Sequence, residues 1–172
     1  MPMIDSRYVQ TMAAYNAWQN ASLVAAADGL ADAERRADKG AFFGSIHATL
    51  SHLVWADRLW LARFTGSAPP RARSIAASVA ECEDWDRLKR EREALDREIV
   101  SWAAGLGGAD LEGDLTWHSG SLGRDVSRPL WLLVAHFFNH QTHHRGQVHA
   151  LLTAFGAKPE DTDLCFMPGG ER

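Results

Sequence analysis

Four of the chain's eight histidines fall within nine residues, in the segment HFFNHQTHHRGQ at positions 136–147. His140 and His144 are four residues apart, so in an α-helix their side chains lie one turn apart on the same face. Neutral imidazoles placed in this way are common ligands of divalent metal ions. The segment therefore predicts a metal site, provided that another helix supplies a third ligand.

The third ligand has one good candidate. Two histidines hold a metal ion weakly, and most imidazole-based zinc sites have at least three protein ligands. In the apolar segment that follows Ser45, His52 lies toward one edge of a broad buried arc, whereas His47 falls on the narrow polar face. We therefore expect His52 to complete the site, and we interpret His47, His118 and His149 as surface residues.

Other polar residues fall on or beside the stripe of the two spaced histidines, namely His136, His143 and Gln147. We expect the two histidines to be core polar groups or neighbours of the ligands, and Gln147 to be a hydrogen-bond partner beside them. The alternative is that all these histidines are hydrogen-bonded core residues without a metal. It stays open because the H-x-x-x-H spacing recurs by chance and the glutamate of H-E-x-x-H is missing.

Four segments carry the apolar spacing of amphipathic helices and must position these residues. They cover about residues 4–30, 46–64, 85–106 and 130–155, with Asp5 or Ser6, and Ser45, as N-caps and Gly156 as a C-terminal stop. Between Gly105 and Pro129 lies a long connection with six glycines, in which a short irregular hairpin is expected. The sequence predicts an all-α fold, a four-helix bundle forming one domain over residues 1–172.

Composition excludes several classes of function. A net charge of -4 without a basic stripe disfavours nucleic-acid binding. The chain shows neither a signal peptide nor an apolar run long enough to cross a bilayer, which favours a cytoplasmic protein. The two cysteines, Cys82 and Cys165, are far apart and are expected to be reduced buried thiols.

Two further expectations concern the core and the surface. Asp57 and Arg92 interrupt buried faces and are expected to pair with each other, although either one, like Tyr15, is also a candidate for contact with a substrate. Trp131 and Phe138 lie opposite the histidine stripe, and Trp55 is displaced in the same way on its helix. If exposed, these three aromatic residues would form a patch that a homodimer covers; alternatively, the glycine-rich connection folds over them.

Three segments resemble the DinB (DinB/YfiT-like) family of damage-inducible bacterial four-helix proteins. They are YNAWQN at 15–20, SIHATLSHLVWADRLWLARFTG at 45–66 and HFFNHQTHHRGQVHALLTAFG at 136–156, in the family's usual order. The resemblance implies a divalent ion, zinc or nickel, held by His52, His140 and His144. His143 occupies a position where relatives often have an aromatic residue, so a swap between His143 and His144 stays open.

The resemblance also implies a range of functions. Some members of the wider group are transferases or isomerases that use low-molecular-weight thiols, and a three-histidine ion with an open coordination position suits such a transferase or a hydrolase. The alternative is a non-catalytic stress-response module in which the ion serves stability or the recruitment of a partner. No catalytic residue is assigned by either reading.

Overall fold

Helices make up most of the protein. The computed structural model describes residues 3–169, in which the elements are α1 (Ser6–Asp28), α2 (Asp32–Arg36), α3 (Ile46–Thr65), α4 (Ile75–Ser78), α5 (Trp85–Ala104), β1 (Asp114–Ser119), β2 (Arg124–Pro129) and α6 (Leu130–Ala154). A 3₁₀ turn, Leu164–Phe166, follows. The long helices α1, α3, α5 and α6 are the four that the sequence predicts, and the mostly helical architecture agrees with the all-α prediction.

Polar caps determine where several helices begin. The side chains of Asp5, Ser45 and Asp84 each accept a hydrogen bond from the backbone N–H three residues later, at 2.8, 3.2 and 2.7 Å. These bonds satisfy donors that the first turn of a helix leaves without a partner. At the other end of α3, Gly66 has a φ of 74°, a left-handed conformation that glycine adopts without steric cost.

The four long helices enclose one hydrophobic core. The main contacts join α1 to α5 and α6, and α3 to the same two helices. Leu50, Leu88, Leu95, Ile99 and Leu152 are fully buried at these contacts. Apolar residues at spacings of three and four give each helix the buried face that this packing needs.

Two connections fold back onto α3. The loop between α3 and α4 is held by Glu81, whose carboxylate accepts the backbone N–H groups of Arg71 and Ala72, and by Trp55, whose indole N–H donates to the Ala72 carbonyl. The glycine-rich connection forms the antiparallel pair β1 and β2, in which Trp117 lies opposite Val126. Both connections therefore pack beside the aromatic side chains of α3, and β2 leads directly into α6.

A ring of buried polar side chains passes through all four long helices. In order of contact it contains Arg145 (α6), Asn16 (α1), Asp96 and Arg92 (α5), Asp57 (α3) and Gln141 (α6). Arg92 donates to Asp57 at 2.6 Å and to Asp96 at 2.8 Å, which confirms the expected ion pair. The two arginines and two aspartates balance in charge, as buried charges require.

Two expectations about surfaces are wrong. Phe138 and Trp55 are buried, and Trp131 packs against the core, so the proposed aromatic patch does not exist. Trp55 is covered by the loop after α3, and the others by packing within the core. The homodimer therefore loses the observation that suggested it and stays a prediction. In addition, Cys82 is buried as expected but Cys165 is exposed.

His47 is also not a surface residue, because it is 2% exposed. Its Nε2–H donates to the carbonyl oxygen of Cys82 at 2.8 Å, and the neighbouring Ser51 hydroxyl bonds to the Ser78 carbonyl. The segment after α4 thus covers the face of α3 that the helical wheel assigns to solvent. Among residues 3–169, no helix combines the length and apolarity that a membrane crossing needs.

Removal of the central cation of the ring tests its contribution to stability. Arg92→Met leaves Asp57 and Asp96 buried without their counter-charge, so we expect the free energy of unfolding to fall by about 3–5 kcal/mol. Urea denaturation measures this change. The matched control is Arg97→Met on the same helix, where the side chain is 67% exposed and the expected loss is below about 1 kcal/mol. Equal losses in the two variants would contradict this role of the ring.

His47 predicts part of the pH dependence of stability. Burial lowers the pKa of His47 below its ordinary 6.5, so below pH 6.5 the unfolded chain takes up a proton that the folded protein does not. Stability therefore falls as the pH drops below 6.5. In His47→Gln, which keeps a donor for the Cys82 carbonyl, we expect this slope to be shallower by up to about 1.4 kcal/mol per pH unit. Urea titrations between pH 7 and 5 measure it, and the exposed His118→Gln variant should keep the original slope.

Candidate metal centre

The structure brings His52 of α3 together with His140 and His144 of α6. The ring centroid of His52 lies 5.3 Å from that of His140 and 4.9 Å from that of His144. The centroids of the two α6 rings are 4.5 Å apart. One ring nitrogen from each residue lies within 4.8 Å of the other two. The three imidazoles therefore form a group that could hold a metal ion.

All three imidazoles are held in the neutral form that a metal ligand needs. Burial, with a smaller contribution from the neighbouring histidines, lowers the pKa of His52 to about 4 and that of His140 to about 3. Burial also lowers the pKa of His144. Near neutral pH each ring consequently has one nitrogen with a lone pair and one that carries a proton.

A serine determines which nitrogen of His52 carries the proton. The Ser78 hydroxyl donates to the carbonyl oxygen of Ile75 at 2.6 Å, and it lies 2.7 Å from His52 Nδ1. Because a hydroxyl has a single proton, Ser78 must accept the bond from Nδ1–H. The lone pair of His52 is therefore on Nε2, the atom that faces His140.

Gln147 determines in the same way which ring nitrogen of His144 carries the proton. Its side-chain carbonyl oxygen, Oε1, lies 3.0 Å from His144 Nδ1 and can only accept a hydrogen bond. Its amide group lies 3.3 Å from Nε2 of His143, to which it donates. His144 is thereby fixed with the proton on Nδ1 and the lone pair on Nε2, and Gln147 lies beside the histidine group as the sequence predicts.

The spacing of one pair of nitrogens fits an ion of the size of zinc. In a tetrahedral zinc site with bonds of about 2.0–2.1 Å, two ligand nitrogens lie about 3.3 Å apart. The Nε2 atoms of His52 and His140 are 3.4 Å apart. The donor set and its spacing therefore suit a divalent ion with an affinity for imidazole.

Aromatic rings enclose one side of the histidine group. The Phe43 ring, from the loop before α3, stacks on His52 with 4.1 Å between centroids and lies 5.4 Å from His144. Trp55 lies 5.6 Å from His52, toward the loop that follows α3. The two aromatic side chains thus limit the contact of the imidazoles with water.

A cavity of about 840 Å³ opens beside the group, with Trp55 in its lining and Phe43 outside it. His52 and His140 form one part of its lining; the remaining walls come from α3, from the loop and start of α4, and from the β1–β2 hairpin. A cavity of this size is large enough for a small organic ligand. A second groove of about 680 Å³ between α1 and α5 has no histidine in its lining.

The remaining predicted site residues take different positions. His136 and His143 are exposed rather than buried in the core; they lie beside His140 and His144, with ring centroids 5.8 and 4.9 Å away. Asp57 belongs to the buried ring of polar side chains. Tyr15 lines a separate cavity of about 260 Å³ and donates its hydroxyl proton to the Thr162 carbonyl.

Sequence reasoning missed Ser78 and Phe43, both of which contact His52. Neither lies on a long helix, so helical periodicity contains no signal for them. The capping pattern that begins at Ser74, whose side chain accepts the Ala77 N–H, could have located the short helix that carries Ser78.

The fold and the histidine group together define a mostly helical protein with a potential metal centre at the junction of two long helices. A model of the DinB family matches residues 3–171, nearly the whole chain. The protein belongs to the DinB family. Among curated proteins, none matches the chain.

Proposed function

We propose that the protein binds one divalent metal ion, zinc or nickel, through the Nε2 atoms of His52, His140 and His144 within a DinB-type four-helix bundle. The observation that carries this proposal is the convergence of three neutral imidazoles, two of them with Nδ1 fixed as a hydrogen-bond donor. Such fixing of ligands by neighbouring groups is typical of metal-binding histidines.

We further propose that the ion keeps an open coordination position facing the 840 Å³ cavity and that the protein is a thiol-dependent transferase. An ion bound by three histidines lowers the pKa of a bound water or thiol and so supplies a nucleophile near neutral pH. The cavity provides the space in which an electrophilic substrate would meet it.

Transfer to a thiol is favoured over hydrolysis by the lining of the cavity. Among the described residues that line it there is neither an aspartate nor a glutamate. A metallohydrolase commonly uses such a carboxylate as the base that activates water. A thiol needs less assistance, because its ordinary pKa is already near 8.5. In the proposed reaction the sulfur forms a bond to the electrophilic carbon, the leaving group departs with its electron pair, and the thiol proton goes to solvent.

Metal content tests the ligand assignment. We expect the purified protein to hold one ion per chain, and His52→Ala, His140→Ala and His144→Ala to fall to near background with a lower melting temperature, because binding to the folded state stabilises it. Elemental analysis and thermal unfolding measure both effects. His143→Ala and His149→Ala are the controls that keep the ion; full retention of metal in His140→Ala contradicts the assignment, and loss in His143→Ala would indicate the swapped ligand.

The hydrogen bond from His52 to Ser78 predicts a partial loss of metal affinity when Ser78 is replaced. Ser78→Ala leaves Nδ1–H of His52 buried without an acceptor and frees the ring to change tautomer, so we expect metal affinity to fall about 10- to 100-fold. Competition with a chelator of known affinity measures the change. Ser101→Ala, at an exposed position on α5, should bind as the unchanged protein does. An affinity within twofold in Ser78→Ala means that Ser78 does not orient the ligand.

Catalysis is tested by a screen of low-molecular-weight thiols with electrophilic substrates. The expected result is a thiol-transfer rate that depends on the metal and is lost in His140→Ala. If the loaded protein gives no rate above background with any thiol, the result favours the alternative, a non-catalytic metal-binding module.

A further inference from the structure

We infer that the cavity beside the histidine group contains a carboxylate-binding subsite formed by Arg63, so that the ligand is an elongated organic monoanion with an apolar body. This inference rests on the proposed function, because it describes the molecule that would occupy the same cavity. Arg63 is not part of the histidine pattern that the sequence predicts.

Arg63 lines the same cavity as His52 and lies on the same face of α3, nearer to His136 than to the candidate ligands. The two positions on α3 are eleven residues apart. In an α-helix this spacing corresponds to about three full turns plus 20°, and to an axial distance of about 16 Å. Side chains of a helix lean toward its N-terminus, so the Arg63 side chain extends back toward His52. A ligand that contacts both groups must therefore span on the order of 10 Å.

Two tryptophans hold the guanidinium group. Its central carbon lies 4.5 Å from the ring centroid of Trp60 and 5.6 Å from that of Trp117, which the β1–β2 hairpin places against α3. The two indoles are in edge contact, with 5.5 Å between centroids. Stacking on aromatic faces leaves the edge of the guanidinium, with its paired N–H donors, available to a planar acceptor.

The guanidinium has no partner for these donors within residues 3–169. Burial alone lowers the pKa of Arg63, and neither a carboxylate nor a hydrogen-bond acceptor of the described chain offsets that effect. By contrast, the half-buried Arg58, five residues earlier, pairs with Glu91 at 3.0 Å and with Glu98 at 3.8 Å. A half-buried cation that no carboxylate of the described chain neutralises can pair with an anion that enters the cavity.

The lining of the cavity agrees with an anionic ligand that has an apolar body. Its charged side chains are Arg63 and the exposed Arg73, without an acidic residue among the described ones. Trp55, Trp60 and Pro70 contribute apolar surface to the same lining. One shielded cation and a planar donor edge fit a carboxylate, which accepts two parallel hydrogen bonds from arginine.

The test compares ligands that differ only in the terminal group. Cobalt-loaded protein is titrated with 6-mercaptohexanoate and with 6-mercaptohexan-1-ol, and binding is followed by the absorption of the cobalt centre. We expect the carboxylate to bind about tenfold more tightly or better. Arg63→Gln should reduce the preference to within twofold, Arg63→Lys should keep part of it, and the exposed Arg97→Gln should leave it unchanged. Equal binding of the two thiols to the unchanged protein, or a preference that survives Arg63→Gln, overturns the inference.

A second titration separates this inference from the proposed function. Metal-free wild-type protein is titrated by calorimetry with 4-phenylbutyrate and 4-phenylbutan-1-ol, neither of which needs the ion. A preference for the carboxylate that depends on Arg63 supports the subsite, whatever the cobalt titration shows. If neither thiol changes the cobalt spectrum, that result counts only against the open coordination position of the metal. Absence of that preference in the metal-free protein refutes the subsite. Thermal unfolding of each variant confirms that it is folded.

Discussion

The ring of buried charges and amides, which begins and ends on α6, is the constraint on which the position of the histidine group depends. Its two members on α6, Gln141 and Arg145, directly follow His140 and His144 in the chain. Gln141 donates to Asp57 of α3, and Arg145 donates to Asn16 of α1. Any rotation of α6 about its axis would break these buried bonds, each of which is costly to leave unmade. The ring therefore fixes the direction in which the two histidines point.

The same ring relates α6 to α3, which carries the third histidine. Asp57 lies five residues after His52 and bonds to both Arg92 and Gln141. One buried aspartate thus sets the distance between the helix with one imidazole and the helix with two. Connections outside the long helices then orient the rings: α4 supplies Ser78, and the loop before α3 supplies Phe43. Helix packing gives the coarse position of the group, and the connections give its fine geometry.

The sequence predicts what depends on spacing along a helix, and it fails where a distant segment decides. The four long helices, the N-caps of α1 and α3 and the convergence of His52, His140 and His144 follow from patterns along the sequence. His47 was misassigned because a wheel gives the direction of a side chain but not the segment that covers it, which here is the stretch ending at Cys82. The expected aromatic patch fails for the same reason. Arg63 gives no signal in the sequence, since its environment depends on Trp117 of a distant hairpin.

Two polar systems of opposite character thus lie side by side in this fold. In the ring, two arginines and two aspartates neutralise one another, so the described chain supplies its own counter-charges. The histidine group differs: burial keeps its rings neutral, so the imidazoles of His52 and His140 can act as metal ligands near neutral pH. Within residues 3–169, Arg63 has no carboxylate partner. His52, His140 and Arg63 line one cavity, so the proposed metal ion and the inferred carboxylate would meet in the same space. The ring accounts for the fixed direction of the histidines, and the groups around the cavity are the basis of the proposed function.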